Sequence, residues 1–464
     1  VGWIVEYFGD GATSLSVPQR ATITNMGAEL GVTTSVFPSD ECTRDFLAAQ
    51  GREQDYAPLG ADTDVAYDRV IEISLTDLEP MAACPSSPDN VRTIPEISGM
   101  DVQQVVIGSC TNSSLSDMMM VAKVLKGREV HPSVELGIAP GSKQVLNMMA
   151  KNGALADVIA AGARLLESGC GPCIGQGFSP GSGAVSLRTF NRNFPGRSGS
   201  KGDQVYLVSP ETAVAGALTG KLTDPRSLDI AYPVMGLPEA FDVDDRMIQA
   251  PATEDEAGGI TVLRGPTIVV PEAPVPLVES LTGQVILKCE DKITTDHIMP
   301  AGTFLKLRSN VPEYAKVVFN CFSEPGKPTF AERGLALKAA GIGGIIVAGQ
   351  SYGQGSSREH AALCPMYLGV RVVLAKSIER IHRANLINFC IVPLTFADPA
   401  DYDRLVQDET LEIKGLREAV QNSDEIVVTQ ADGGTLVARL TLSQRDREIL
   451  LADGLLSFTR TKNQ

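Results

Sequence analysis

The stretch Ser168-Gly169-Cys170-Gly171-Pro172-Cys173-Ile174-Gly175-Gln176-Gly177 puts two thiols three positions apart in a turn too rich in glycine to hold a helix. A third thiol, Cys110, closely follows the apolar run Val105-Val106-Ile107. By itself a CxxC pair reads as a redox dithiol or as half of a zinc site. Three cysteines with no obvious fourth ligand also suit an iron–sulfur cluster with one open iron, where a substrate can bind. Cys42, Cys84, Cys289, Cys321, Cys364 and Cys390 read as buried small residues.

The elements that must position these thiols follow an α/β pattern. Val17 to Leu30 reads as a helix with Ser16 as its cap and Pro18 in its first turn. Thr33 to Phe37 reads as a strand, Asp40 to Ala49 as a helix capped by Ser39, and Val70 to Leu75 alternates like a strand. Strands are expected over Val102–Gly108 and Val134–Ala139, with helices over Ser116–Leu125 and Gln144–Ala161, the latter broken near Gly153. Cys110 then falls just past the C-terminal end of a strand, where open α/β sheets place their ligands. Met118, Met119 and Met120 read as helix core.

Acidic residues at Glu254 to Glu256 and a proline-rich run from Gly265-Pro266 to Pro276 read as an interdomain linker. A second α/β series follows. Strands are expected over Gly344–Ala348, Val370–Ala375 and Cys390–Leu394, and helices over Arg358–Leu368 and Ile378–Asn385. There is no internal repeat.

Three motifs point further: Gly108-Ser109-Cys110-Thr111-Asn112, Gly169-Cys170-Gly171-Pro172-Cys173, and Tyr352-Gly353-Gln354-Gly355-Ser356-Ser357-Arg358-Glu359-His360. Together they resemble the aconitase family of hydro-lyases. Glu6-Tyr7, Asn25-Met26-Gly27, Phe37-Pro38, Asn191-Arg192-Asn193-Phe194, Gly196-Arg197 and Thr294-Thr295-Asp296-His297-Ile298 add to the likeness, in the family's order along nearly the whole chain. The resemblance implies several α/β domains around a 4Fe–4S cluster, with a C-terminal swivelling α/β domain joined by a linker. The expected divisions are 1–90 as the remainder of an N-terminal α/β region, 91–235 as the cluster-binding domain, 236–285 as linker and 286–464 as the swivel domain.

The same resemblance implies roles. Cys110, Cys170 and Cys173 hold the cluster, and Ser356 removes a proton from carbon, although alone it reads equally as a helix N-cap. Ser357 and Arg358 bind a substrate carboxylate. Arg192, Arg197 and Arg308 supply further cations for a tricarboxylate, a task suited to the guanidinium fork, though each alone reads as a surface residue. Glu6 and Asn191 lie near the reacting hydroxyl and water. Thr295, Asp296 and His297 orient the site, with a helix cap and a packed histidine as the plainer readings of the last two. The implied reaction interconverts citrate and isocitrate through cis-aconitate.

One departure matters. The family's acid-side histidine and aspartate residues come from an N-terminal portion, and this chain has only His131, His297, His360 and His382. Val1-Gly2-Trp3-Ile4-Val5-Glu6-Tyr7 reads like the inside of a protein, so an N-terminal part is expected to be missing and the fragment alone to be inactive.

Composition bounds the alternatives. The 464 residues, 43% apolar and 21% charged, describe an ordinary globular protein. A net charge of −16 argues against a cluster-free RNA-binding regulator, which needs a basic surface. Relatives acting on homocitrate, homoaconitate or isopropylmalate remain rivals, and the resemblance implies that Arg308 favours a substrate with an extra carboxylate over an isopropyl group. The expected partner is a small tricarboxylate, without membrane or nucleic acid, bound by a monomer in the cytoplasm or, in a eukaryote, the mitochondrial matrix.

Overall fold

The computed structural model describes residues 3–200, 202–300, 302–355 and 358–462. The chain forms two compact units, Val1–Ala252 and Thr253–Gln464. No helix among the described residues is long and apolar enough to cross a membrane.

The first unit is built on strands β1 (Ile4–Glu6), β2 (Thr34–Val36), β3 (Met81–Ala83), β4 (Val91–Thr93), β5 (Gln104–Gly108), β6 (Glu135–Ala139), β7 (Arg164–Leu165), β8 (Val185–Arg188) and β9 (Gln204–Leu207). β1 and β2 pair in parallel as a small separate sheet. The others form one sheet in the order β4-β3-β9-β8-β5-β6-β7. Its run β9-β8-β5-β6-β7 is parallel, and the β3–β4 hairpin lies antiparallel at one edge. Every residue of β5 is buried, as an apolar run covered on both faces should be. Met118 and Met120 of helix Leu115–Leu125 pack into that core.

From β5 the chain passes to β6 on one side and returns to β8 on the other. The topological switch point therefore lies between β5 and β8, the position at which open α/β sheets bind ligands. The loops after these two strands carry Cys110 and Asn191-Arg192.

The second unit closes seven strands into a barrel: β10 (Leu281–Lys288), β11 (Gly343–Ala348), β12 (Val370–Ala375), β13 (Val392–Phe396), β14 (Thr410–Ile413), β15 (Glu425–Gln430) and β16 (Thr435–Arg439). β10 to β13 run parallel, and β14 to β16 close the barrel antiparallel. Val285, Ile345, Val347, Leu374 and Val392 fill one of its cores.

Several local readings change. Helix Val17–Gly27 carries the Ser16 cap, reinforced by Gln19, but stops before Leu30. Helix Glu41–Ala49 is capped by Asp40, not Ser39, because Asp40 both accepts from the Thr43 amide and pairs with the buried Arg20 at 2.7 Å. Val70 to Leu75 is not a strand. Val70, Ile71 and Ile73 are 63, 66 and 63% exposed and pair with no strand among the described residues, so the alternation has no sheet there to join. The expected break at Gly153 separates helices Lys143–Lys151 and Ala154–Ala160. β10 starts at Leu281, inside the stretch read as linker.

Candidate functional site

In the first unit, β5 ends at Gly108 with φ 135°, and a Cβ there would stand 2.0 Å from the Ala139 carbonyl oxygen. Only glycine allows the chain to pass so close to β6 and turn towards Cys110. Ser109 follows with φ 75°, a conformation that side chains seldom take. The turn is held from β8's side. Thr189 Oγ1 accepts from the Gly108 amide at 2.9 Å and donates to the Gly108 carbonyl at 3.2 Å. Asn112 Nδ2 donates to the Thr189 carbonyl at 3.0 Å, and Thr22 Oγ1 donates to the Thr111 carbonyl at 2.7 Å.

Around the sulfurs, Ser109 joins two loops. Its hydroxyl donates to Cys110 Sγ at 3.8 Å and accepts from Cys173 Sγ at 3.3 Å. Asn25 Nδ2 donates to Cys110 Sγ at 3.5 Å. Burial alone would push the Cys110 thiol up, but the hydrogen bonds from Asn25, Ser109 and Thr111 outweigh it, and the net effect favours thiolate. Cys173 lies in the short turn Pro172–Ile174 and is buried, which pushes its thiol up, while the Ser109 hydrogen bond and the Arg197 charge pull it down. Cys110 and Cys170 are exposed, and all three are free thiols.

Among the described residues, no group of three or more histidine, cysteine, aspartate or glutamate side chains is drawn together as a metal site. The donor chemistry nevertheless fits an iron–sulfur cluster. The Ser109 hydroxyl bridges Cys110 and Cys173, and thiolates are the ligands such clusters take.

Asn191 and Arg192 meet on one carboxylate. Glu29 Oε1 accepts from Arg192 Nε at 2.8 Å and from Asn191 Nδ2 at 3.4 Å, and its side chain is only 7% exposed. Glu6 contacts Tyr67, whose hydroxyl is pushed up by burial and by its hydrogen bond to Glu6. The contacts thus join Asn25 to the thiols and Glu29 to the arginine, and neither role was read from the sequence. Asn25 lay within a motif, which is a usable signal; Glu29 carried none.

In the second unit, the turn after β11 carries the glycine-rich motif. Gly353 has φ 84°, and a Cβ there would lie 2.3 Å from the His382 ring. The Gly353 amide donates to the Ile293 carbonyl at 2.7 Å, and the Thr295 amide to the Gln354 carbonyl at 2.9 Å. These bonds bring Thr295 beside the turn. Its hydroxyl is buried and has no hydrogen-bond partner among the described residues. Asp296 pairs with Arg358 Nη1 in a short contact, and Arg358 also donates to the Met299 carbonyl at 3.3 Å. His297 closes a local cap: its Nδ1 accepts from the Thr294 amide at 3.1 Å.

His360 Nε2 meets the Arg308 carbonyl at 2.8 Å. Burial pushes the Tyr314 hydroxyl up, against the opposing pull of the Arg358 and Arg308 charges. The helix that follows runs His360–Tyr367 with Glu359 at its cap position. Ser356 and Ser357 lie outside the described residues.

Comparison with known proteins agrees with these motifs. The profile of the aconitase family (aconitate hydratase) matches residues 1–98 and 93–220, and that of the aconitase C-terminal domain matches residues 323–399. A putative mitochondrial aconitate hydratase of Aspergillus fumigatus is 34% identical over 98% of this chain and 65% of its own length. A mitochondrial aconitate hydratase of Candida albicans is 33% identical over 99% of this chain and 67% of its own length. A crystal structure titled 3-isopropylmalate dehydratase (leuD), from a Methanocaldococcus, is 28% identical over 40% of this chain at a TM-score of 0.31, too low to bear on the fold. The chain spans about two thirds of the length of such relatives, and with its three cysteine, glycine-turn and arginine motifs in order it belongs to the aconitase family.

Proposed function

We propose that the whole protein is an aconitate hydratase, a hydro-lyase that interconverts citrate and isocitrate through cis-aconitate by removing and re-adding water. The observation that carries this reading is the meeting of Cys110 and Cys173 on the Ser109 hydroxyl, at the switch point whose other loop carries Asn191 and Arg192. The relatives' names support it. They also carry the word mitochondrial, which favours the matrix as its location.

On this reading Cys110, Cys170 and Cys173 hold a 4Fe–4S cluster through their sulfurs. When bound, the cluster supplies an iron without a protein ligand, a Lewis acid for the substrate hydroxyl. The chain's own residues do the rest. Arg192, Arg197, Arg308 and Arg358 bind the substrate carboxylates, and the fork of each guanidinium fixes orientation as well as charge. Ser357 adds a hydrogen bond to one carboxylate.

Ser356 takes the proton from the carbon next to the departing hydroxyl, and the electron pair of that C–H bond becomes the double bond. The hydroxyl leaves with the C–O pair, becoming water by taking a second proton from an acid that none of the residues named here supplies. The Arg358 charge favours the serine's anionic form. Asn191, held by Glu29, and Glu6 hydrogen-bond the hydroxyl and the water. Thr295 and Asp296 set the turn and Arg358, and His297 fixes the cap beneath them. Hydration runs the same steps backwards, with Ser356 returning the proton.

Reconstitution tests the reading. The wild-type chain should take up about four irons, the number in this cluster type. Cys110→Ser, Cys170→Ser or Cys173→Ser should each abolish uptake, whereas Cys42→Ser and Cys390→Ser should not. Loss of iron in either control, with retention in the first three, would transfer the site to other thiols.

A further inference from the structure

Arg188 ends β8 and is completely buried. Its guanidinium makes four hydrogen bonds. Nε donates to Ser186 Oγ at 3.0 Å and Nη1 to the Pro172 carbonyl at 2.6 Å; Nη2 donates to Gln104 Oε1 at 2.8 Å and to the Phe178 carbonyl at 3.2 Å. The group also lies 5.4 Å from the Phe190 ring centre. All four acceptors are neutral. A buried guanidinium without a carboxylate on it bears a large desolvation cost. Burial draws its pKa down to about 10, so it is still a cation at neutral pH.

The bonds tie together the segments that carry the thiols. Pro172 immediately precedes Cys173, and Phe178 closes the same loop. Gln104 opens β5, the strand that leads to Cys110, and its Nε2 donates to the Ser179 carbonyl at 3.2 Å. Neutral donors can bind carbonyls, as Gln104 does beside it. What they cannot supply is charge. Thiols that ligate a metal do so as thiolates, so a loaded site gathers negative charge at the end of a buried sheet. Asp203, whose charge acts on Arg188, is pushed up by its own burial, and its Oδ2 has no hydrogen-bond partner among the described residues.

We propose that Arg188 is a positioning residue for the cysteine site, clamping the 172–178 loop to the sheet and acting as the buried counter-charge of the thiolates. The inference rests on the reading that Cys110, Cys170 and Cys173 hold a cluster. It makes Arg188 costly in the iron-free protein and favourable in the loaded one.

The test compares wild type, Arg188→Met, Arg188→Gln and Arg188→Lys after reconstitution with iron and sulfide. Three quantities are read: iron retention against a chelator, the midpoint potential of the bound cluster, and the unfolding midpoint with and without iron. Arg188→Met should weaken iron retention by about 10–100-fold, as partners behind metal ligands do. Its potential should move negative, because a fixed positive charge no longer favours the added electron. It should lose more stability in the loaded than in the iron-free state. Arg188→Lys keeps the charge without the fork, so its potential should lie nearer wild type.

If Arg188→Met does not fold, Arg188→Gln against Arg188→Lys decides the matter, and equal potentials would overturn the proposal. So would an Arg188→Met protein with wild-type potential, or equal stability losses with and without iron, which mark a purely structural tie. Wild-type protein that takes up no iron would overturn the cysteine reading and this inference with it; a loaded wild type indistinguishable from Arg188→Met would overturn this inference alone.

Discussion

The cysteine loops of the first unit and the glycine-rich turn of the second are held by opposite means. Behind Cys110 and Cys173 lies a buried polar lattice of Thr189, Gln104, Ser186 and Arg188, each bonded to a loop or to another member. The turn at Gly353 is held mostly by backbone hydrogen bonds, and its charged pair, Asp296 with Arg358, faces outward, with side chains 61 and 21% exposed. Where functional groups are bonded through buried partners, removing one partner leaves another unsatisfied, and function and stability fall together. Where they stand on a backbone frame at the surface, the two separate.

The largest expected effect breaks function away from stability in the second unit. In a full-length enzyme, Ser356→Ala should cut kcat by about 10²–10⁴-fold, roughly 3–5 kcal/mol of barrier, because a general base is lost. KM and the unfolding midpoint should change little. The helix that follows begins at His360, with Glu359 at its cap position. A Ser356→Ala enzyme that kept its kcat would require another base.

This contrast explains what was legible in the sequence. Cys110 was placed correctly past a strand because Val105-Val106-Ile107 announces a fully buried strand, and the loop after it inherits the switch point. The CxxC turn was legible from its glycines. Arg188 was not, because an arginine in Ser186-Leu187-Arg188-Thr189 looks like the outward residue of an alternating strand; its burial follows from the carbonyls of the 172–178 loop, which no local pattern reveals. Glu29 was invisible for a similar reason, since its partner Arg192 is 163 residues away. The strand expected at Val70 to Leu75 failed because alternation specifies a strand only if another strand lies beside it.

One buried group sharpens the comparison by making part of the second unit behave like the first. His382 is buried against the glycine-rich turn, edge-on to Tyr352, with neither ring nitrogen hydrogen-bonded among the described residues. Burial draws its pKa from 6.5 down to about 4. The unfolded chain therefore binds this proton first as pH falls. Stability is fully present above about 6.5 and is lost as pH drops towards 4, by about 1.4 kcal/mol per pH unit and about 3 kcal/mol in all. His382→Leu should flatten that acid-side loss in urea unfolding measured between pH 7 and pH 4. A slope unchanged by the substitution would mean that other groups carry it.

The smallest effect is the one that decides whether the comparison holds. Asp296 and Arg358 form a close pair, yet an exposed ion pair typically contributes only about 0–1 kcal/mol, because water competes for both charges. Asp296→Asn keeps an oxygen that can accept from Arg358 and removes only the charge. The unfolding midpoint should therefore hardly move. Arg358, still placed but less neutralised, should bind a tricarboxylate with an affinity changed by no more than about fivefold, the equivalent of about 1 kcal/mol. Asp296→Ala removes the oxygen as well, so KM should rise while stability again stays close to wild type. If either variant lost several kcal/mol of stability, the surface pair would be as tightly coupled to folding as the lattice behind the cysteines, and the two regions would not differ in kind.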